Sequence, residues 1–335
     1  MKIIKNPNIT SSVVKDGVFQ NIEETPQMAE EASVFKILKK QFSKPKNVQP
    51  SSEIPIVKTD LINLAFEKPT IVWFGHSSYL IRYRKINILV DPVFCGYASP
   101  FPFMIKSFAG ANNYGVEDMP IIDYHIQTHN HYDHLDKKSL KSLAAKTKNY
   151  IVPKGVKKDL LSYGISSEKI TELDWGERAE ISSEFQITAT PARHFSGRGL
   201  KRNASLWSSY VLEMFGYRFF LGGDSGFGNH FQQIGDAFGQ FDLAILECGQ
   251  YGEYWPHIHT FPKELLKIAE TLQAKYILPV HWAKFALAHH PWKEPIERLL
   301  KATENSEIQL ATPRVGEPLV LGENYPTTKW WENLD

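Results

Sequence analysis

Six consecutive residues, His129-Asn130-His131-Tyr132-Asp133-His134, constrain this chain more than any other feature. They place three imidazoles and a carboxylate directly after the run Ile121-Ile122-Asp123-Tyr124-His125-Ile126, which reads as a strand. A buried imidazole needs partners for its ring nitrogens, and a buried carboxylate needs a counter-charge. A divalent metal ion supplies both at once. The spacing is not the helical pair of the HExxH zinc motif. It calls for a fold that delivers a strand end to a loop where further ligands gather.

The length, 335 residues, suffices for one large domain or two modest ones. Lys plus Arg is 38 against 37 for Asp plus Glu, so no dedicated nucleic-acid partner is expected. Two cysteines, Cys95 and Cys248, form no CxxC pair and imply no disulfide framework. The opening Met-Lys-Ile-Ile-Lys-Asn-Pro-Asn has no apolar core of a signal peptide. No window approaches the roughly 18 apolar residues of a spanning helix. The expected location is the cytoplasm, with peripheral membrane contact left open.

Residues 1–66 are polar and read as an N-terminal extension with one helix, over 27–41, lying on the main body. The main domain is expected over 67–335. Its strands are read at 70–74, 78–83, 86–90, 121–128, 150–153, 170–173, 185–190, 207–215, 217–221, 241–246 and 276–280. Helices are read at 137–146, 263–272 and 295–302. Strands joined first by hairpins and later by helices fit an α/β fold, an αββα sandwich of two mixed sheets flanked by helices, better than a doubly wound parallel sheet.

Three more ligand types follow apolar strands. His194 comes after the strand at 185–190, Asp224 after Phe219-Phe220-Leu221, and His281 after Ile277-Leu278-Pro279-Val280. With His129, His131, Asp133 and His134 they make five imidazoles and two carboxylates. One zinc takes about four ligands, so this set suits two divalent metal ions. Nitrogen and carboxylate donors without thiolate favour zinc, with iron or manganese as alternatives.

Here the chain resembles the metallo-β-lactamase fold superfamily, whose HxHxDH motif stands at 129–134 and whose later single ligands follow in order as His194, Asp224 and His281. The resemblance covers roughly residues 68–290. Within the superfamily it is most similar to the branch of N-acyl-phosphatidylethanolamine-hydrolysing phospholipase D and the RomA-like bacterial proteins. That narrower likeness rests on Trp73-Phe-Gly-His76-Ser-Ser, Asp91-Pro-Val-Phe, Ala98-Ser-Pro, Gly223-Asp-Ser-Gly and His281-Trp-Ala-Lys-Phe-Ala-Leu-Ala288, and more weakly on Gly17-Val-Phe-Gln-Asn21.

The resemblance implies that His129, His131 and His194 hold one metal, that Asp133, His134 and His281 hold the other, and that Asp224 bridges. Two such ions make hydroxide available at neutral pH. The implied activity is hydrolysis of phosphodiesters, phospholipase D-like and extending to N-acyl phospholipids. Hydrolysis of lactones or carboxylic esters, sugar-phosphate lactones included, is the alternative on the same site, and a non-catalytic binding protein is a third reading. His259, in His-Thr-Phe-Pro262, matches a His-x-x-Pro of the branch and would donate to a leaving group or a phosphate oxygen; a loop histidine bonded to backbone is the competing expectation.

His76 and Asp91 are expected to give supporting hydrogen bonds. Cys248 is expected as a buried thiol. His125, His230, His257, His289 and His290 are read as structural or exposed, and Arg193, Arg198, Lys201 and Arg202 as solvated charges. Lys284 and Glu247-Cys248 depart from the lipid-hydrolysing pattern. The loop Pro100-Phe101-Pro102-Phe103-Met104-Ile105 either packs on its own core, or lines an acyl groove or touches a bilayer through Phe101 and Phe103.

Overall fold

Runs of β-branched and aromatic residues form every strand expected between residues 70 and 280. The computed structural model describes residues 1–29, 47–65, 67–199 and 201–334. In chain order the strands are β1 (Lys2–Lys5), β2 (Val13–Lys15), β3 (Val18–Gln20), β4 (Thr70–Trp73), β5 (Tyr79–Tyr83), β6 (Ile86–Val90), β7 (Ile122–Ile126), β8 (Thr147–Pro153) and β9 (Ile170–Leu173). They continue as β10 (Glu177–Ser182), β11 (Phe185–Thr190), β12 (Ser209–Met214), β13 (Tyr217–Leu221), β14 (Leu243–Glu247), β15 (Tyr276–Val280), β16 (Gln309–Leu310) and β17 (Pro318–Val320). The α-helices are α1 (Lys137–Leu143), α2 (Lys157–Ser162), α3 (His230–Phe238), α4 (Pro262–Thr271) and α5 (Glu294–Thr303).

One sheet has the order β17-β4-β5-β6-β7-β8-β9, and the other β1-β10-β11-β12-β13-β14-β15-β16. Both are mixed. β6 to β9 run parallel, as do β13 to β16, while the hairpins before them are antiparallel. A single hydrophobic core unites residues of both sheets, among them Ile81, Ile88 and Ile126 from one and Ile187, Phe219 and Leu278 from the other. This is the expected αββα sandwich.

Several strands carry no periodic signal. β1 is an exposed Lys-Ile-Ile-Lys that pairs with β10, so residues 2–5 of the segment read as an extension are an edge of the second sheet. β16 and β17 have two and three residues, too few for alternation to show. The helix expected over 27–41 lies, from residue 30 onward, outside the described residues.

Five indoles pack under one end of the sandwich. Trp282 stacks on Trp73 at 5.7 Å, Trp330 at 5.2 Å and Trp292 at 6.3 Å, and meets Trp331 edge-on at 5.4 Å. Trp73 Nε1 donates to the carbonyl of His76 (2.7 Å), and Trp282 directly follows His281. The stack therefore supports two loops that leave adjacent strand ends.

Candidate metal centre

β4, β6, β7, β11, β13, β14 and β15 all end at the same edge, and each is followed within a few residues by a polar group. Side chains set on strand ends inherit the precision of the sheet. Three of these residues adopt left-handed backbone, His76 (φ 52°), Asp91 (φ 40°) and His281 (φ 67°). Such conformations cost about 1–3 kcal/mol each and persist where the surroundings enforce them.

Asp91 does much of that enforcing. Its Oδ1 accepts from Gln127 Nε2 and Thr128 N, both at 2.9 Å, and its Oδ2 accepts from Thr128 Oγ1 (2.5 Å) and His134 Nδ1 (2.7 Å). One buried carboxylate thus pins the start of the histidine loop and orients His134. His194 Nδ1 donates to the carbonyl of Ile258 (2.8 Å), and His281 Nδ1 lies 2.9 Å from Ser77 Oγ. His76 Nε2 donates to Asp133 Oδ2 (2.9 Å), which places it as the expected support.

The structure brings all seven predicted residues together in two groups of four with His76. His129, His131, His194 and Asp224 form one, and His76, Asp133, His134 and His281 the other, with ligand atoms within 4.8 Å of one another in each. His131 Nδ1 is 3.0 Å from His129 Nε2 and 3.2 Å from His194 Nε2. Asp224 Oδ2 is 3.7 Å from both of those Nε2 atoms. Its Oδ1 is 3.2 Å from His134 Nε2 and 3.1 Å from His281 Nδ1. Asp224 therefore gives one oxygen to each group.

These spacings suit ligands of one ion, which at about 2.0–2.1 Å from a tetrahedral metal sit roughly 3.3 Å apart. His134 Nε2, His281 Nε2 and Asp224 Oδ1 are buried without a hydrogen-bond partner among the described residues. Each such orphan costs about 1–3 kcal/mol. A metal ion removes that cost, so the donor set fits one.

The electrostatics agree for four of the five imidazoles, and His134 is the exception. Burial, reinforced by neighbouring imidazoles, holds His129 well below the usual histidine range, and burial likewise pushes His131 down to about 4. His194 and His281 are also well below the range, through burial, although Asp224 works the other way. Their lone pairs are available for coordination. Burial opposes the charge on His134, but Asp224 and Asp133 outweigh it and raise His134 well above the range.

His259 departs from one expectation. Its Nδ1 donates to Glu247 Oε2 (2.7 Å) rather than to backbone, and its ring lies 5.1 Å from His194 and 5.3 Å from His281. Burial opposes its charge, yet Glu247 overrides this and pushes the imidazole up to about 9. Glu247 was missed as a site residue. Its Oε1 accepts from Ser225 N (2.9 Å) and Thr260 N (3.1 Å), so it ties the loops after Asp224 and His259 together. The available signal was a carboxylate ending an apolar strand; its register with Val280, next to His281, is visible only in the fold. Asp224, Glu247, His259 and His281 make a third, overlapping group.

Asn21 was also missed as a support. Its amide clasps the backbone of His194 from both sides, with Nδ2 donating to the carbonyl (2.8 Å) and Oδ1 accepting from the N–H (3.1 Å). Partners that hold a ligand in place are worth about 10–100-fold in metal affinity. Asn21→Ala is therefore expected to weaken metal binding about tenfold, as chelator competition would measure, and to lower the thermal midpoint of the metal-free protein as well, because the buried His194 backbone loses both partners.

The arginines are not a solvated run. The chain leaves loop carbonyls around the site without partners, and guanidinium groups meet them. Arg193 donates to the carbonyls of Glu24 and Phe227 at 2.9 Å, and Arg198 to those of Leu135 (2.5 Å) and Asn130 (3.1 Å). Lys201 and Arg202 are exposed. Cys248 is a buried core residue, and burial raises its thiol well above the usual range. His125, His230 and His290 are hydrogen-bonded inside the fold, to Gln127, Ser225 and the Gln250 backbone respectively.

Lys284, three residues past His281, is buried, and its Nζ donates to the carbonyls of Val93 (2.8 Å) and Phe74 (3.1 Å). Burial pushes it down to about 8 from 10.5. The folded chain therefore releases this proton before the unfolded chain does. The group's penalty on stability is full below pH 8 and fades as the pH rises towards 10.5. Denaturation at several pH values should show wild type gaining on Lys284→Met across that window, by up to about 3 kcal/mol. A flat difference would contradict it.

Strand-end imidazoles and carboxylates on an αββα sandwich place the chain among proteins that hold a metal centre between two sheets. A family model described as a beta-lactamase superfamily domain matches residues 86–282. Over 95% of its length the chain is 32% identical to an uncharacterized protein of Mycobacterium tuberculosis, covering 86% of that protein. Over 73% it is 30% identical to N-acyl-phosphatidylethanolamine-hydrolyzing phospholipase D 1 of Caenorhabditis elegans, covering 74% of that enzyme. Igni18, a metallo hydrolase from Ignicoccus hospitalis, shares the fold with a TM-score of 0.58 at 20% identity, over 75% of this chain and 97% of that one. The chain belongs to the beta-lactamase superfamily and is a metallo-hydrolase.

Proposed function

We propose that the chain is a dinuclear phosphodiesterase of phospholipase D type, with N-acyl phospholipids as its leading substrate class. The observation that carries this reading is Asp224, whose two oxygens face two separate donor groups. His129, His131 and His194 would hold one ion, Asp133, His134 and His281 the other, with Asp224 between. Zinc suits these donors best, and iron or manganese follow. Two ions held there supply hydroxide at neutral pH and an electrostatic clamp for phosphoryl oxygens.

The protein's own residues do the rest. With Nδ1 committed to Glu247, His259 has only Nε2 left to offer a substrate, and the Glu247 carboxylate favours its protonated form. That proton serves the leaving alkoxide. The similarity to the nematode phospholipase D supports the phosphodiester class.

The deciding experiment screens zinc-, iron- and manganese-loaded protein against a model phosphodiester, an N-acyl phospholipid, a lactone and a thioester. Turnover of the phosphodiesters is expected. Turnover of the lactone alone would overturn the reading in favour of a lactonase. His259→Ala is expected to slow phosphodiester turnover about 10²–10⁴-fold with metal content intact. Loss of metal from that variant would reassign His259 as a ligand.

A further inference from the structure

The charges of this chain are near balance, with 38 Lys and Arg against 37 Asp and Glu. Some surface cations sit against carboxylates, as in Lys58 with Asp118, Lys148 with Asp123 and Lys275 with Asp242, each at 2.7 Å. Lys106, Lys137, Lys138 and Lys141 are exposed and have no carboxylate partner among the described residues. Lys137, Lys138 and Lys141, with Arg198, Tyr97 and Ser99, line a cavity of about 340 Å³. Lys106 is bridged to Tyr97.

From the rim of that cavity rises the apolar loop. Its base is packed, with Ala98 against Val93 and Phe285. Its tip is not. Phe101 is 53% exposed, Phe103 73% and Met104 44%, so the tip does not bury itself on its own core. The Phe101 and Phe103 rings stack at 5.6 Å. Ser99 Oγ meets the carbonyls of Phe101 (2.6 Å) and Met104 (2.9 Å), and the Ala98 N–H donates to Ile105 (3.0 Å). These bonds hold the tip in a projecting shape.

We propose that this face docks on an anionic phospholipid bilayer. Phe101, Phe103, Met104 and Ile105 enter the headgroup boundary, while the four lysines meet lipid phosphates. An apolar tip flanked by unneutralised cations is complementary to such a surface in both terms, apolar area and charge. No helix among the described residues is long and apolar enough to cross a membrane, so this contact is peripheral. Arg198 lines the same cavity and donates to the carbonyls of the histidine loop, so docking brings the site edge to the lipid. The proposal stands whether or not the substrate is a lipid.

Co-sedimentation of the full chain with vesicles tests it, comparing phosphatidylcholine alone with phosphatidylcholine plus phosphatidylserine. Binding to the anionic vesicles, weakened by salt, is expected. Phe101→Ser with Phe103→Ser should lower the partition coefficient at least about tenfold. Lys137→Gln, Lys138→Gln and Lys141→Gln should each cost about fivefold, on anionic vesicles only. All five positions are exposed, so the thermal midpoint should not move. Absence of binding by wild type, or binding indifferent to both sets of changes, would overturn the proposal. So would salt-sensitive binding to single-stranded nucleic acid that depends on the lysines and ignores the phenylalanines, if vesicle binding is absent.

Discussion

Asp224→Ala is expected to empty both halves of the metal centre at once. The carboxylate touches each donor group, with oxygens 3.7 Å from His129 and His194 and 3.1–3.2 Å from His281 and His134. It is also 3% exposed, so its charge is buried among the donors of both groups. Without it, five imidazoles face one another with less negative charge among them. The predicted loss of metal affinity exceeds the roughly 100-fold that a partner outside the ligand set is worth. Metal analysis after dialysis against a weak chelator measures it. Asp224→Asn keeps the shape and removes the charge, and should fall between. Wild-type metal content in Asp224→Ala would show that the two groups do not depend on their shared carboxylate.

The second large effect is on folding. Asp91 is 1% exposed and accepts four hydrogen bonds, and its backbone is left-handed. Asp91→Ala strands the amide of Gln127, the hydroxyl and N–H of Thr128 and Nδ1 of His134 together. Removing one partner from a buried charged network typically costs about 3–5 kcal/mol. Urea denaturation of metal-free protein should show a loss of that size. Asp91→Asn retains an acceptor oxygen and tolerates the left-handed backbone, so it should be milder. A loss under about 1 kcal/mol in Asp91→Ala would mean that solvent or a neighbour replaces the carboxylate.

The seven metal-ligand candidates were legible because each follows an apolar strand, a local pattern that needs no knowledge of the partner strand. The sandwich was legible for the same reason. What escaped was non-local. Asn21 lies 173 residues from the backbone it clasps, and nothing in Val-Phe-Gln-Asn points to His194. Glu247 looked like a departure from a lipid-hydrolysing pattern until its oxygens met Ser225, Thr260 and His259. Arg193 and Arg198 read as solvated because a sequence does not show which loop carbonyls lack partners. β1 and β17 are sheet edges, and a three- or four-residue edge strand is stabilised by its neighbour rather than by its own pattern.

The indole stack has a practical consequence. Five of the eight tryptophans crowd around Trp282, the residue next to His281. Most of the chain's indoles therefore lie in one ring cluster that touches the residue beside a candidate ligand. Two of those indoles, Trp330 and Trp331, belong to the last few residues of this sequence, so trimming that end should dim the fluorescence and loosen the footing of His281 together. Loading the centre is therefore expected to change the intrinsic fluorescence, which a metal titration would measure.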